Sequence, residues 1–340
     1  MSRAHRSRTA APSPAASPGE PSRSAVPVLA GRASLAGILT PRDRWLLAML
    51  YEHRVLTTTQ ISALAFPAVR RATRRLLKLH EAGVIDRFRP HRPVGTAPWH
   101  WTLAPAGAAV LAAEHGLDPR ELRWRHDRAL SMAYSLRLDH DIGVADWFTT
   151  LATDPHLPAT LTTWWSPTRC ARLWGDLARP DGYGRLTPTA SGPVGIEFFL
   201  EYDCGTESLT QVTRKLGGYA NLAAATGLTT PLLVWLPTSQ REATARTALA
   251  ATAAGLEHPD TVSIATAAAD HQPGMGPAGP VWLPLHPAPA RPRPRITVTA
   301  LASAWPRLRL TTASHSEATA ADQRVVIAAP PPRPPEQETR

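Results

Sequence analysis

Apolar residues first recur at helical spacing at Trp45, Leu46, Met49 and Leu50, just after Thr40-Pro41, a pair suited to a helix cap and first turn. A second helical segment opens at Thr57-Thr58-Thr59-Gln60, with Ile61, Leu64 and Phe66 apolar, and Pro67 ends it. A third spans about 68–82 and stops at Gly83, with Ala72, Leu76 and Leu79 facing inward. The pattern then changes period. Residues 84–89 (VIDRFR) and 99–103 (WHWTL) alternate as strands do, with Trp99, Trp101 and Leu103 on one face. A helix from Pro105 to about His115 follows. Three helices and a hairpin, in that order, predict a winged helix-turn-helix over 38–118.

Residues 119–159 read as bridging helices. From 160 to 285 strands and helices alternate. A helix or turn is expected around 164–174 and a strand from Pro180. A buried strand falls at 196–203 (IEFFLEYD) and a helix at about 207–225, capped by Asp203 or Thr206. A strand at 230–237, a helix at 239–254 and strands at 261–267 and 281–285 complete the block. That alternation predicts an α/β sheet with helices on its faces. The chain is thus read as multidomain, α+β then α/β. Residues 1–37 lack periodicity and predict a disordered arm. Residues 286–340 read as a Pro-rich, mostly disordered tail, with a strand allowed near 296–305. A chain of residues 38–285 is expected to fold without the tails.

Composition narrows the partners. Net charge is +10, which favours polyanions. Two cysteines, Cys170 and Cys204, exclude a disulfide framework and a four-cysteine zinc site. No run of about 18 apolar residues offers a spanning helix, and a reducing, cytoplasmic setting without membrane partners is expected.

Charge is concentrated on the third helix. Arg70, Arg71, Arg74, Arg75 and Lys78 form one face opposite the apolar stripe, with no acid among them. Arginine reaches phosphates and reads guanine edges, so this face predicts binding to double-stranded DNA, with Arg87, Arg89 and Arg92 added by the wing. A solvated face on a protein-binding winged helix is the bland alternative.

All but two of the 37 basic residues are arginines, and one of the two lysines, Lys215, follows a carboxylate cluster. Pro180-Asp181 opens a strand and Glu201 lies near the end of another, the layout of PD-(D/E)xK nucleases. Two carboxylates at adjacent strand ends hold Mg²⁺, with Mn²⁺ as substitute, and a lysine positions water or stabilises charge. Asp181 and Glu201 are the metal candidates, and Asp181, Glu201, Asp203, Gln211, Lys215 and Tyr219 the catalytic ones. Asp203 stands where that pattern has lysine. Gln211, Lys215 and Tyr219 recur at helical spacing, so the lysine is placed on the next helix. Against this stands a plain structural turn and ion pair. His140-Asp141 reads as packing, Trp164-Trp165 and Trp174 as core.

The winged-helix order, Leu138/His140/Asp141/Val144 on the bridging helix, then RPDGYGRL, FFLEYDCGTES and KLGGY, resembles the actinobacterial replication-relaxation family over about 38–240. The resemblance implies replication or DNA relaxation of a plasmid or integrative element, with a restriction-endonuclease-like second domain. That domain is read either as a Mg-dependent DNA endonuclease that nicks or as a platform for a replication initiator or relaxase. The rival reading is a winged-helix transcriptional regulator with an inert second domain.

Overall fold

The computed structural model describes residues 37–92, 94–189, 195–206, 208–227, 229–285, 294–305 and 327–335. The expected disordered arm, apart from Gly37, and residues 286–293, 306–326 and 336–340 of the expected tail lie outside them.

Helix α1 (Pro41–His53) begins with a reciprocal cap: the Asp43 N–H donates to the Thr40 hydroxyl, and the Thr40 N–H donates to the Asp43 carboxylate. Strand β1 (Leu56–Thr57) leads into α2 (Thr58–Ala65), where Thr57 and Gln60 repeat the device. Then come α3 (Val69–Glu81), β2 (Ile85–Phe88), β3 (His100–Leu103) and α4 (Pro105–Glu114). The strands form a small antiparallel sheet ordered β1-β3-β2, with Arg87 opposite Trp101. This is the element order that the helical and alternating patterns predict.

Two bridging helices follow, α5 (His126–Ser131) and α6 (Leu138–Thr153). The second block is built from β4 (Ala159–Trp165), α7 (Pro167–Trp174), β5 (Gly182–Pro188), β6 (Ile196–Tyr202), α8 (Leu209–Thr226), β7 (Leu232–Leu236), α9 (Ser239–Ala254), β8 (Ile264–Ala268) and β9 (Leu283–Pro284). Its six-stranded sheet is ordered β4-β5-β6-β7-β8-β9. β4, β5 and β6 pair antiparallel, and β6, β7 and β8 pair parallel, which requires α8 and α9 as crossovers. The mixed α/β class is as expected.

Three local expectations change. Residue 159, read as bridging sequence, and residues 164–165, read as the start of a helix or turn, belong to strand β4, whose alternating burial fits an edge strand. Ser208, rather than Asp203 or Thr206, caps α8. The strand allowed near 296–305 is a single bridge, Ile296 to Trp282, followed by a short helix, α10 (Leu301–Ala304).

One hydrophobic cluster runs through both blocks, from Leu46 and Leu50 of α1 through Trp147 and Phe148 of α6 to Phe198, Trp282 and Ile327. A second lies on the other face of the sheet under α8 and α9. Parts of the expected tail join the structure. Arg295 pairs with buried Glu242, and Ile327 is buried. The Trp45 indole donates to the Pro331 carbonyl at 2.8 Å. A chain ending at 285 would strip Glu242 of that cation, and a buried carboxylate without its partner is strongly destabilising, so such a chain is expected to be less stable than the full one.

Candidate functional site

The Asp181 N–H donates to the Leu200 carbonyl at 2.9 Å, and Gly182 pairs with Leu200. Asp181 therefore stands across from Glu201, and cross-strand partners share a face of the sheet. Both are buried, at 5% and 4% exposure. Lys215 and Tyr219, one turn apart on α8, reach back to Glu201: the Lys215 ammonium contacts Oε2 at 2.5 Å and the Tyr219 hydroxyl donates to Oε1 at 2.5 Å. Asp181 Oδ2 accepts from the Tyr202 N–H at 2.9 Å and lies 3.2 Å from His140 Nε2. Arg137 stands 4.0 Å from Asp181 Oδ1.

These contacts set the protonation states. Burial, then the charge of Asp181, pushes Glu201 up to about 8, against the opposing pull of Lys215 and Tyr219. Burial also works to raise Asp181, but the His140 hydrogen bond and charge, with Lys215 and the Tyr202 amide, hold it below the usual carboxylate range. Burial alone would lower His140. The flanking Asp141 and Asp181 outweigh it and raise the imidazole to about 10. His140 is thus a cation at neutral pH, facing the first carboxylate as Lys215 faces the second.

Of the six catalytic candidates, four converge: Asp181, Glu201, Lys215 and Tyr219. Two do not. Asp203 is bound by the Arg241 guanidinium and accepts from the Gly205 N–H at 2.6 Å, so it ties β6 to the start of α9. Gln211 accepts from the Ser208 N–H at 3.1 Å and serves as the capping partner of α8. His140, read from sequence as packing, joins the site instead. Its signal was the His-Asp pair on the bridging helix. Tyr183 is sealed among Trp165, Trp174 and Phe199.

Two carboxylates offer the hard oxygens that Mg²⁺ or Mn²⁺ takes, and such ions keep several waters and accept substrate phosphate as ligand. Asp181 Oδ1 faces only the 4.0 Å approach of Arg137 among the contacts given above. The donor type is that of a two-carboxylate site. Among the described residues no group of three or more His, Cys, Asp and Glu is arranged to hold a metal.

Asp181 and Lys215 lie on the wall of a cavity of about 660 Å³ between the two blocks, which Arg54, Arg137, Arg172 and Arg179 also line. Glu52 of α1 and Arg169 of α7 close the junction beneath it with a fully buried pair at 2.9 Å, and the Ser166 N–H adds to Glu52 at 3.0 Å.

The basic helix lies elsewhere. On α3, Arg70, Arg71, Arg74 and Lys78 are exposed. Arg75 is not equivalent to them: its guanidinium grips buried Asp43 of α1, with Nε at 2.9 Å from Oδ1, and donates to the Ile38 carbonyl. On β2 and the loop after it, Arg87 and Arg89 each lie over Trp99, both 4.1 Å from the ring centre, and Arg92 is exposed.

The chain matches the replication-relaxation family over residues 47–233. No curated protein and no solved structure matches it.

Proposed function

The chain belongs to the replication-relaxation family, and from that premise we propose that it binds duplex DNA of a plasmid or integrative element and nicks it at a metal-dependent, nuclease-like site. The winged helix holds the duplex through Arg70, Arg71, Arg74 and Lys78, with Arg87, Arg89 and Arg92 on the wing. A cytoplasmic setting and a replication initiator or relaxase as protein partner belong to the same proposal.

One observation carries the reading: Asp181 faces Glu201 across adjacent strands, with Lys215 on Glu201, in the wall of a basic cleft. A bound Mg²⁺ or Mn²⁺ would supply Lewis acidity toward the scissile phosphate and a more acidic water. Asp181 and Glu201 would hold it. Lys215 would orient water or offset developing charge. Tyr219 fixes the second oxygen of Glu201, and His140 fixes Asp181. A second reading, an inert platform, is favoured by one feature: both oxygens of Glu201 are already engaged by Lys215 and Tyr219.

Conversion of supercoiled plasmid to open circles, with Mg²⁺ and Mn²⁺, tests the proposal. Asp181→Asn keeps the shape and removes a ligand charge, and Lys215→Met removes the ammonium. Each is expected to slow nicking by about 10²–10³-fold, with duplex affinity unchanged. Wild-type protein that binds Mn²⁺ in calorimetry yet leaves the plasmid intact across metals and pH would leave the platform standing.

A further inference from the structure

The chain has a second basic surface, separate from α3. Beside the large cavity lies a smaller one of about 110 Å³, and the two share Arg54 and Arg172 in their walls. Arg123 and Arg128 line the smaller cavity, Arg137 and Arg179 the larger. All six side chains belong to exposed residues. The acids that line the cavities are engaged: Glu52 with Arg169, and Asp141 and Asp181 with His140. Among the described residues, Arg54, Arg123, Arg128 and Arg172 have no carboxylate partner.

Arg54, Arg123, Arg128 and Arg172 repel one another with no carboxylate to offset them, so an external anion is the natural counterpart. Backbone geometry adds to this. Arg54 and Arg123, at φ 68° and 51°, are the two non-glycine residues of the described chain with positive φ. That conformation is unfavourable for a side chain with a Cβ and tends to persist where a site needs it. Here it occurs twice, both times at an arginine of the smaller cavity.

We propose that this trough seats the sugar-phosphate backbone of a single strand of DNA and leads it past Asp181 and Lys215. The proposal rests on the reading of the protein as DNA-binding. Three features favour a single strand over a duplex. The arginines line concave walls, the smaller of volume about 110 Å³, which a single backbone enters. Duplex readers instead insert a protruding helix or ribbon into a groove about 12 Å wide. Next, Tyr134 is 91% exposed, on a segment whose neighbours Met132, Ser135 and Arg137 line the larger cavity. A free aromatic beside a basic groove is the usual platform for an unpaired base. Finally, Asp43 ties α3 to the N-terminal end of α1, whereas Arg54 follows its C-terminal end. Eleven positions along the helix separate the two by roughly 16 Å. One end suits duplex and the other an unpaired strand.

The test uses the full chain and two fluorescent probes, an oligothymidylate and a blunt hairpin duplex, with anisotropy titrated against salt. The trough variant is Arg54→Gly/Arg128→Ala/Arg172→Ala. Glycine accepts positive φ, and a thermal melt checks that each variant folds. It is expected to flatten the oligothymidylate slope of log K against log salt by about 2 units, at about 0.7 per phosphate contact, while the duplex slope stays at the wild-type value. Arg70→Ala/Arg74→Ala/Lys78→Ala is expected to do the reverse. Tyr134→Ala is expected to weaken oligothymidylate binding at least about fivefold. Wild-type oligothymidylate affinity in the folded trough variant would overturn the proposal, and so would equal losses for both probes. Failure of the nicking reading is separable: it leaves plasmid intact while both probes still bind.

Discussion

Asp43 is 1% exposed and charged, so its cation matters more than the neighbours of that cation on α3. Burial works to raise the Asp43 carboxyl, but the Arg75 and Thr40 hydrogen bonds hold it below its ordinary value. Arg75→Ala would leave a buried carboxylate with only Thr40. The expected cost is about 3 kcal/mol in urea unfolding at pH 7. Arg74→Ala, on an exposed arginine, is expected to change stability by no more than about 0.5 kcal/mol while weakening duplex binding. Equal stabilities of the two variants would remove the structural role assigned to Arg75. Periodicity marked both arginines as one basic face, and it could do no more, because the burial of Asp43 depends on how α1 meets α3. Asp203 and Gln211 illustrate the same limit. Their spacing pointed to chemistry, but Arg241 and Ser208 were free to claim them once the helices were placed. For Lys215 and Tyr219 the helical spacing was sufficient, because Glu201 sits opposite the face that they share.

The β5–β6 register sets the site. Slippage by one residue would turn one of the two carboxylates to the other face of the sheet. The apolar pattern of 196–202 and the Pro-Asp start of the preceding strand made this pairing legible. The position of α6 was not, because its histidine reaches Asp181 only if the helix lies close on β6. Gly143 permits that approach: a Cβ there would stand 2.6 Å from the Tyr202 ring, nearer than real Cβ contacts come. Gly143→Ala is expected to push α6 and Tyr202 apart, at a cost of about 1–3 kcal/mol, and to loosen the His140–Asp181 contact. A lowered midpoint in urea together with a downfield-to-upfield change of the His140 ring signals at pH 8 would show both effects. An unchanged midpoint would mean that the ring simply turns aside. Strand β4 was hidden for a related reason: Thr162 and Thr163 break its apolar alternation, and the pairing with β5 shifts register between Leu161 and Thr163, so no local period announces a strand.

At the scale of the whole molecule the two blocks are joined by a core rather than a tether, and charge and aromatic contacts meet there. The His53 ring at the end of α1 stacks on Trp164 of β4 at 3.8 Å, next to the buried Glu52–Arg169 pair. Burial holds the imidazole down to about 4, outweighing the charge of Glu52. His53 is therefore neutral in the folded protein across a range where the unfolded chain, with an ordinary histidine at 6.5, is protonated. Between those values the unfolded state binds more protons, so stability falls as pH drops from about 6.5 to 4, by no more than about 3 kcal/mol from this one group. Above pH 6.5 neither state holds the proton, and the term vanishes. His53→Phe keeps a flat ring on Trp164 and removes the titration. Its urea midpoint relative to wild type is expected to rise between pH 7 and pH 4.5, because carboxylates such as Glu52 affect both proteins alike. Parallel losses in the two proteins would mean that the ring takes up its proton in place and that the junction opens to water before it titrates. A wild-type protein that loses stability over this range more steeply than His53→Phe would place the acid-sensitive element of the chain at the seam between its first and second blocks.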